Sequence, residues 1–323
     1  MIHELHPSAI QVRGSTFDRY SQLIEWGASV CYGRPMRDSP EDEERLCEKL
    51  SNLGHLTPFE LITLVVCWPF GKTPPEMFYL KHVHSFMKDG EVAFVTSVRA
   101  LMDATKEGVA SAEQILGEVT QKDRPLHPIK KAIDAGCWGS SGSCSGFDKA
   151  PPEIWVGPMW GDSCPYKQEV ARPIVLFTCS RTISHQLVRH RKASFLQESQ
   201  RYCKYDEAVP VIQPLAFEDL GATAKQVWRS HQEDCHRTYL TLRKCGAAPQ
   251  TARGCLSGDT ATRIAMCASL PIWAWVFHLR CAKGADPEMR RLMVPLRERM
   301  LLEYPDLSFY ESLYKTGGSS CGR

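Results

Sequence analysis

The order of apolar and polar positions divides the chain into recognisable elements. Pro173 to Cys179 is a nearly continuous apolar run, the pattern of a buried strand. Leu61 to Trp68 also reads as a strand. Ser39-Pro40-Glu41-Asp42-Glu43-Glu44 has the form of a helix start. It offers a serine cap, a proline in the first turn, and acids at the positive helix end. Leu46, Leu50 and Leu53 would share the apolar face of that helix, and Gly54 would close it as a C-terminal cap. Ser180 is placed to cap a helix with Ile183 and Leu187 on one face. Ala224 to Arg243 reads as a second long helix. Asp286-Pro287-Glu288 opens what reads as a last helix, with Met289, Leu292, Met293, Leu296 and Met300 inward and a kink at Pro295. Met77 to Glu107 contains both strand-like and helical stretches. Gly136 to Gln168 is rich in Gly, Ser, Pro and Trp, has little periodicity, and reads as an irregular loop.

With 323 residues the chain can bury a substantial core. Its net charge of +2 gives no global case for nucleic-acid binding. No apolar run approaches the ~20 residues of a membrane helix, and Met1 to His6 has no basic-then-apolar pattern, so neither membrane insertion nor a signal peptide is expected. The 14 cysteines are scattered without a repeated spacing. They read as free thiols of a reducing cytoplasm, the competing reading being a disulfide framework.

The densest chemistry lies in Arg189 to Tyr202, RHRKASFLQESQRY, just beyond the apolar run. Its arginines offer a fixed fork of donors for phosphate, and its serines and glutamines can complete a polar pocket. No metal is expected. His82, His84, Cys137, Cys144 and Cys164 lack metal-type spacing. Gly139 to Gly146 has the wrong glycine spacing for a dinucleotide fingerprint.

Arg189-His190-Arg191, seven further residues and then Ser199 resemble the signature of the flavin-dependent thymidylate synthases. The likeness extends through Gln200-Arg201-Tyr202 and back through His185-Gln186-Leu187-Val188. Gly54 to Glu60 resembles the family's second motif, although Leu61 stands where the family usually has His. Leu279-Arg280, with Glu288 eight residues on, resembles the Leu-Arg before the family's final helix. The resemblance covers about the first seventy residues and those from Ile174 to about Pro305.

The resemblance implies an α/β (α+β) fold with a central, largely antiparallel sheet and flanking helices. It implies a single catalytic domain, 1–323, with an insertion at about 69–172. Positions carried over as flavin contacts are His55, Arg189, His190, Arg191 and Gln197, with Cys31 near the cofactor or simply a core thiol. Gln186, Ser199, Gln200, Arg201 and Arg253 carry over as nucleotide and phosphate contacts. Arg280 carries over as the catalytic cation at the uracil face, where it would stabilise charge developing on the ring. The implied cofactors are FAD, NADPH and methylenetetrahydrofolate, and the implied assembly is a homotetramer.

The implied reaction is C5-methylation of UMP, dUMP or both. Strict dUMP turnover and a catalytically degenerate nucleotide-binding regulator are the alternatives. The regulator's support is a departure: Ser269-Leu270-Pro271 stands where the family usually has Asn-x-Arg. Trp273 and Trp275 beside it are core or stacking groups. Within the insertion, Val95 to Met102 looks like the missing segment with Ser97 for Asn. That similarity makes Arg99 either a relocated flavin contact or a chance match over eight residues.

Overall fold

The structure is a computed structural model and describes residues 1–12, 17–122, 126, 129, 153–157 and 170–316. In chain order the first half comprises β1 (Ile2–Leu5), β2 (Ser8–Val12), α1 (Tyr20–Tyr32), α2 (Pro40–Leu53), β3 (Thr63–Pro69), β4 (His84–Lys88), β5 (Glu91–Ser97), α3 (Val98–Lys106), α4 (Ala110–Lys122) and β6 (Glu153–Gly157). The second half comprises β7 (Ile174–Ser180), α5 (Arg181–Leu187), β8 (Ser194–Gln197), β9 (Val209–Ile212), α6 (Phe217–Lys244), α7 (Pro249–Ala252), β10 (Ala261–Cys267), α8 (Leu270–Arg280), α9 (Pro287–Glu303) and α10 (Leu307–Thr316). The fold is a mixture of helices and mainly antiparallel sheet, as expected. The chain divides into two compact units: 1–12, 29–34 and 173–323 form the first, 13–28 and 35–172 the second.

In the first unit the sheet order is β2-β7-β10-β8, all antiparallel. The apolar run of β7 is central because its neighbours cover both of its edges. β1 and β9 pair in parallel alongside. One face of the sheet packs on α8 and α9, burying Phe177, Ile264, Met266, Trp273 and Phe277 together. The five inward residues expected on α9 are all buried. That helix is not the last, however, because α10 follows and packs on α8. Asp286 caps α9 by accepting the Glu288 N–H at 2.9 Å. α6 is longer than the periodic segment suggests, since it includes a break at Gly221 with φ 82°. Glycine tolerates that left-handed backbone.

In the second unit the order is β4-β5-β3-β6, again antiparallel. β5 therefore shares a sheet with β3. The helix start at Ser39 and the stop at Gly54 fall where the sequence places them. Ser39 accepts the Asp42 N–H, and Gly54 has φ 70°. The buried face of α2 is Glu43, Cys47, Leu50 and Ser51, not the leucine stripe. Leu53 stays 56% exposed. Burial of Glu43 is compensated by two hydrogen bonds from Arg19 and one from Ser21. Glu153–Gly157 is a strand inside the stretch expected to be irregular. Pairing with β3 supplies the order that its own periodicity does not show. Gly139 to Gly146, Cys137, Cys144 and Cys164 lie outside the described residues. Every cysteine among the described residues is a free thiol. No helix among them is long and apolar enough to cross a membrane.

Candidate functional site

β7 ends in Ser180, whose hydroxyl accepts the Ile183 N–H at 3.2 Å and so starts α5. α5 buries Ile183 and Leu187 and turns Gln186 the other way. It ends just before Arg189 to Lys192, and a helix C-terminus favours such cations. α8 ends at Arg280 and brings it to the same place.

Arg280 is held by neutral groups. Its Nε donates to His190 Nε2 at 3.1 Å, and its Nη2 donates to the Gln186 carbonyl at 2.9 Å. A third, longer contact of 3.4 Å reaches Gln186 Oε1. The Gln186 amide is fixed from its other end, because Nε2 donates to Asp286 Oδ2 at 2.8 Å. Asp286 thus caps α9 with one oxygen and orients Gln186 with the other. Burial lowers the Arg280 pKa, and the Asp286 charge works in the opposite direction.

His190 is 7% exposed. Burial, and then the Arg280 charge, push its pKa down to about 4, so the imidazole is neutral at pH 7. An arginine can only donate. His190 Nε2 is therefore the acceptor, and the ring proton sits on Nδ1.

A cavity of about 510 Å³ opens beside this network. Arg189, His190, Arg191, Lys192 and Arg280 line its polar side, and Trp275 and Tyr314 are on its apolar side. Arg189, Arg191 and Lys192 are exposed, and none forms an ion pair among the described residues. Pyrophosphate or carboxylate groups fit such a set of open cations. A dinucleotide cofactor is chemically compatible with this donor set.

Cys31, Gln197 and Ser199 meet in a second cluster of the same unit. The Ser199 N–H donates to the Cys31 carbonyl at 2.9 Å. Burial raises the Cys31 thiol to about 11, with a bond from the Gln197 backbone acting against it. A protonated thiol is a poor nucleophile. The Gln197 amide donates to Ser184 at 2.8 Å and, at 3.4 Å, to Thr262. Ser199 also starts the turn that presents Arg201, whose guanidinium lies 5.7 Å from the Tyr202 ring centroid. Gln200 belongs to the same turn, and the buried Tyr205 hydroxyl beyond it has no hydrogen-bond partner among the described residues. Arg201 and Arg253 are exposed and, among the described residues, are not hydrogen-bonded to the Arg280 network.

His55 and Arg99 belong to the second unit. His55 is exposed, and its backbone N–H donates to the Leu50 carbonyl at 2.9 Å as part of the α2 cap. Arg99 bonds to Glu60, the acid of the second motif, and lies 3.5 Å from Asp103. The Val98 N–H also donates to the Ile62 carbonyl at 3.1 Å. The segment that looks relocated therefore packs on the His55–Glu60 motif. Sequence reasoning gave Asp286 only a capping role; its partner Gln186 is 100 residues away, beyond any local signal.

Residues 168–306 match the family model described as thymidylate synthase complementing protein. A flavin-dependent thymidylate synthase of Geobacter sulfurreducens is 36% identical over 120 residues, which is 36% of this chain and 50% of the relative. The enzyme of the same description from Corynebacterium diphtheriae is 30% identical over 156 residues, covering 43% and 61%. The chain spans about half the length of the curated relatives it matches. Among solved structures, a UMP/dUMP methylase, PolB, from Streptomyces cacaoi bound with 5-Br dUMP aligns with a TM-score of 0.37 and 19% identity, over 44% of this chain and 70% of that one. The family named by the sequence matches is the one that the Arg189–Tyr202 signature resembles.

Proposed function

We propose, from the match of residues 168–306 to the thymidylate synthase complementing family, that the chain is a flavin-dependent C5-methylase of uridylate. The observation that carries this reading is the half-buried Arg280, held by His190 and Gln186 beside three open cations. Bound FAD would supply reducing equivalents, with methylenetetrahydrofolate as carbon donor and NADPH as final reductant.

In this proposal the protein binds, orients and polarises. Arg189 and Arg191 hold the cofactor's anionic groups, and neutral His190 presents its Nδ1 proton to it. Gln197 and Cys31 are further cofactor contacts carried by the first unit, and His55 and Arg99 are cofactor contacts carried by the second. Gln186, Ser199, Gln200, Arg201 and Arg253 bind the nucleotide. Arg280 stabilises charge that develops on the uracil ring as C5 is alkylated; a fixed cation in a water-poor site does this without reorganising. The Gln186 amide, locked by Asp286, can read a ring edge in one orientation only. No thiol attack is part of the proposal, in keeping with the protonated Cys31.

The proposal also comprises a single catalytic domain over 1–323, a homotetramer, and a cytoplasmic setting in keeping with the free thiols. The experiment is reconstitution with FAD. The flavin absorbance should bleach on adding NADPH, and dUMP should bind the flavin-loaded protein. Failure to retain FAD at micromolar concentration would overturn the enzyme reading.

A further inference from the structure

Glu198 follows β8 and immediately precedes the turn that carries Arg201. Its side chain is only 16% exposed. A carboxylate this enclosed needs hydrogen bonds and opposite charge around it. It accepts the Arg263 N–H at 3.1 Å and lies 3.7 Å from Arg263 Nε. The backbone of Glu198 is held as firmly. Its N–H donates to the Arg263 carbonyl at 2.9 Å, and its carbonyl accepts Arg181 Nη2 at 2.8 Å. β10 and α5 thus fix Glu198 through its N–H, its carbonyl and its carboxylate.

The turn itself is clasped from the other side by Cys31-Tyr32-Gly33. The Cys31 carbonyl takes the Ser199 N–H, and the Tyr32 ring meets the Tyr202 ring edge-on at 5.2 Å. Gly33 has φ 60°, and a methyl group there would lie 2.6 Å from the Cys203 sulfur and 3.0 Å from Glu198 Oε1. Only glycine allows so close an approach. Cys203 closes the turn, its N–H donating to the Ser199 carbonyl at 2.9 Å. The carboxylate therefore sits under both ends of the turn. Burial, and then the Glu198 charge, push the Cys203 thiol up to about 12, so no second negative charge forms beside the acid.

We propose that Glu198 is a positioning residue, locking the Ser199–Tyr202 turn so that Arg201 is presented to a nucleotide phosphate before that ligand arrives. A turn held in advance spares the cost of ordering it on binding. The inference rests on the nucleotide-binding reading above and extends it, because Glu198 acts through Arg201 and not on the ligand. Geometry and charge can be separated here. Glutamine keeps the reach to the Arg263 N–H and loses the charge. Aspartate keeps the charge and falls one methylene short.

The test is calorimetric titration of the FAD-loaded protein with dUMP. Wild type is compared with Glu198→Asp, Glu198→Gln, Arg201→Ala and the double variant Glu198→Asp/Arg201→Ala, with folding checked by circular dichroism. Glu198→Asp should raise the Kd by about tenfold, the scale of a lost charge-assisted hydrogen bond. Glu198→Gln should stay within about threefold of wild type, because the hydrogen bond remains. With Arg201→Ala already present, Glu198→Asp should add little, since the two residues act as one unit. Equal losses with aspartate and glutamine would assign the effect to charge and overturn the inference. So would a Glu198→Asp Kd within about twofold of wild type, an undiminished effect beside Arg201→Ala, or a Glu198→Asp protein that does not fold. In each of those cases wild type still binds dUMP and the nucleotide-binding reading stands. A wild type that binds no dUMP overturns both.

Discussion

Each unit contains a strand that runs through a serine into a helix, with an arginine on that helix. In the first, β10 leads through Ser269 into α8 and on to Arg280; in the second, β5 leads through Ser97 into α3 with Arg99 in its first turn. Both serines are extended, at ψ 160°. Ser97 caps its helix by accepting the Ala100 N–H at 3.2 Å, whereas Ser269 makes no such bond and Pro271 follows it in the first turn. The larger difference is electrostatic. Arg99 is paired with Glu60 and lies near Asp103. Arg280 bonds to an imidazole, a carbonyl and an amide, and to no carboxylate among the described residues. A cation paired with acids has spent much of its field on them. A desolvated cation held by neutral dipoles keeps its field for a ligand. Within the proposed function, the comparison gives the chemistry to Arg280 and a holding role to Arg99.

The largest effect should come from removing that free cation. Arg280→Ala should lower kcat by roughly 10²–10³-fold, as for loss of a donor aimed at developing charge. Arg99→Ala should instead weaken flavin retention by something like 1.5–3 kcal/mol, the scale of a charged hydrogen bond, with a smaller effect on turnover of the loaded enzyme. Steady-state kinetics at saturating FAD separates the two. Equal losses of kcat would break the comparison.

His190 sharpens it, because its neutrality spares Arg280 a like charge at hydrogen-bond distance. Its pKa lies near 4 in the folded protein against 6.5 for an ordinary histidine. Between these values the unfolded chain takes up the proton and the folded chain does not. Stability therefore rises with pH across this window and is lost as pH falls from about 6.5 to about 4, by a total on the order of 3 kcal/mol. Urea melts across that range measure the slope, and His190→Gln should flatten it. An unchanged slope would mean that this histidine is not held neutral.

Arg201→Ala and Arg253→Ala are expected to weaken nucleotide binding by about 1.5–3 kcal/mol each while sparing flavin content. Calorimetry with dUMP reads this directly. Unchanged affinity in both variants would remove these two residues from the nucleotide site.

Much of the first unit was legible because its signals are local. The apolar run of β7, the cap at Ser180 and the inward face of α9 each depend on residues within a few positions, and all three are present. The Ser39 and Gly54 caps were legible for the same reason. The buried face of α2 was not, because Glu43 is buried by Arg19 and Ser21, whose approach no periodicity encodes. β6 was missed because its order comes from pairing with β3, some ninety residues earlier in the chain. The likeness of the Arg189–Tyr202 stretch and of Leu279-Arg280 to a known signature pointed to the candidate site. The Asp286–Gln186 bond and the packing of Trp275 on Tyr314 needed coordinates, since each joins segments distant in the chain.

The smallest effect is expected at Cys31, whose raised pKa leaves it protonated. Cys31→Ser should keep turnover close to wild type. A dead variant that still holds FAD would return a thiol to the mechanism.

The central claim is most directly tested by single-turnover conversion of UMP and dUMP side by side, with FAD, NADPH and methylenetetrahydrofolate present and products identified by mass. An apolar wall discriminates against an added ribose hydroxyl only on the order of 10²-fold. The account predicts 5-methyl product from both nucleotides, with rates within about that factor of each other. Product from dUMP alone would remove the broad sugar tolerance, and a flavin-loaded protein that methylates neither nucleotide would contradict the account.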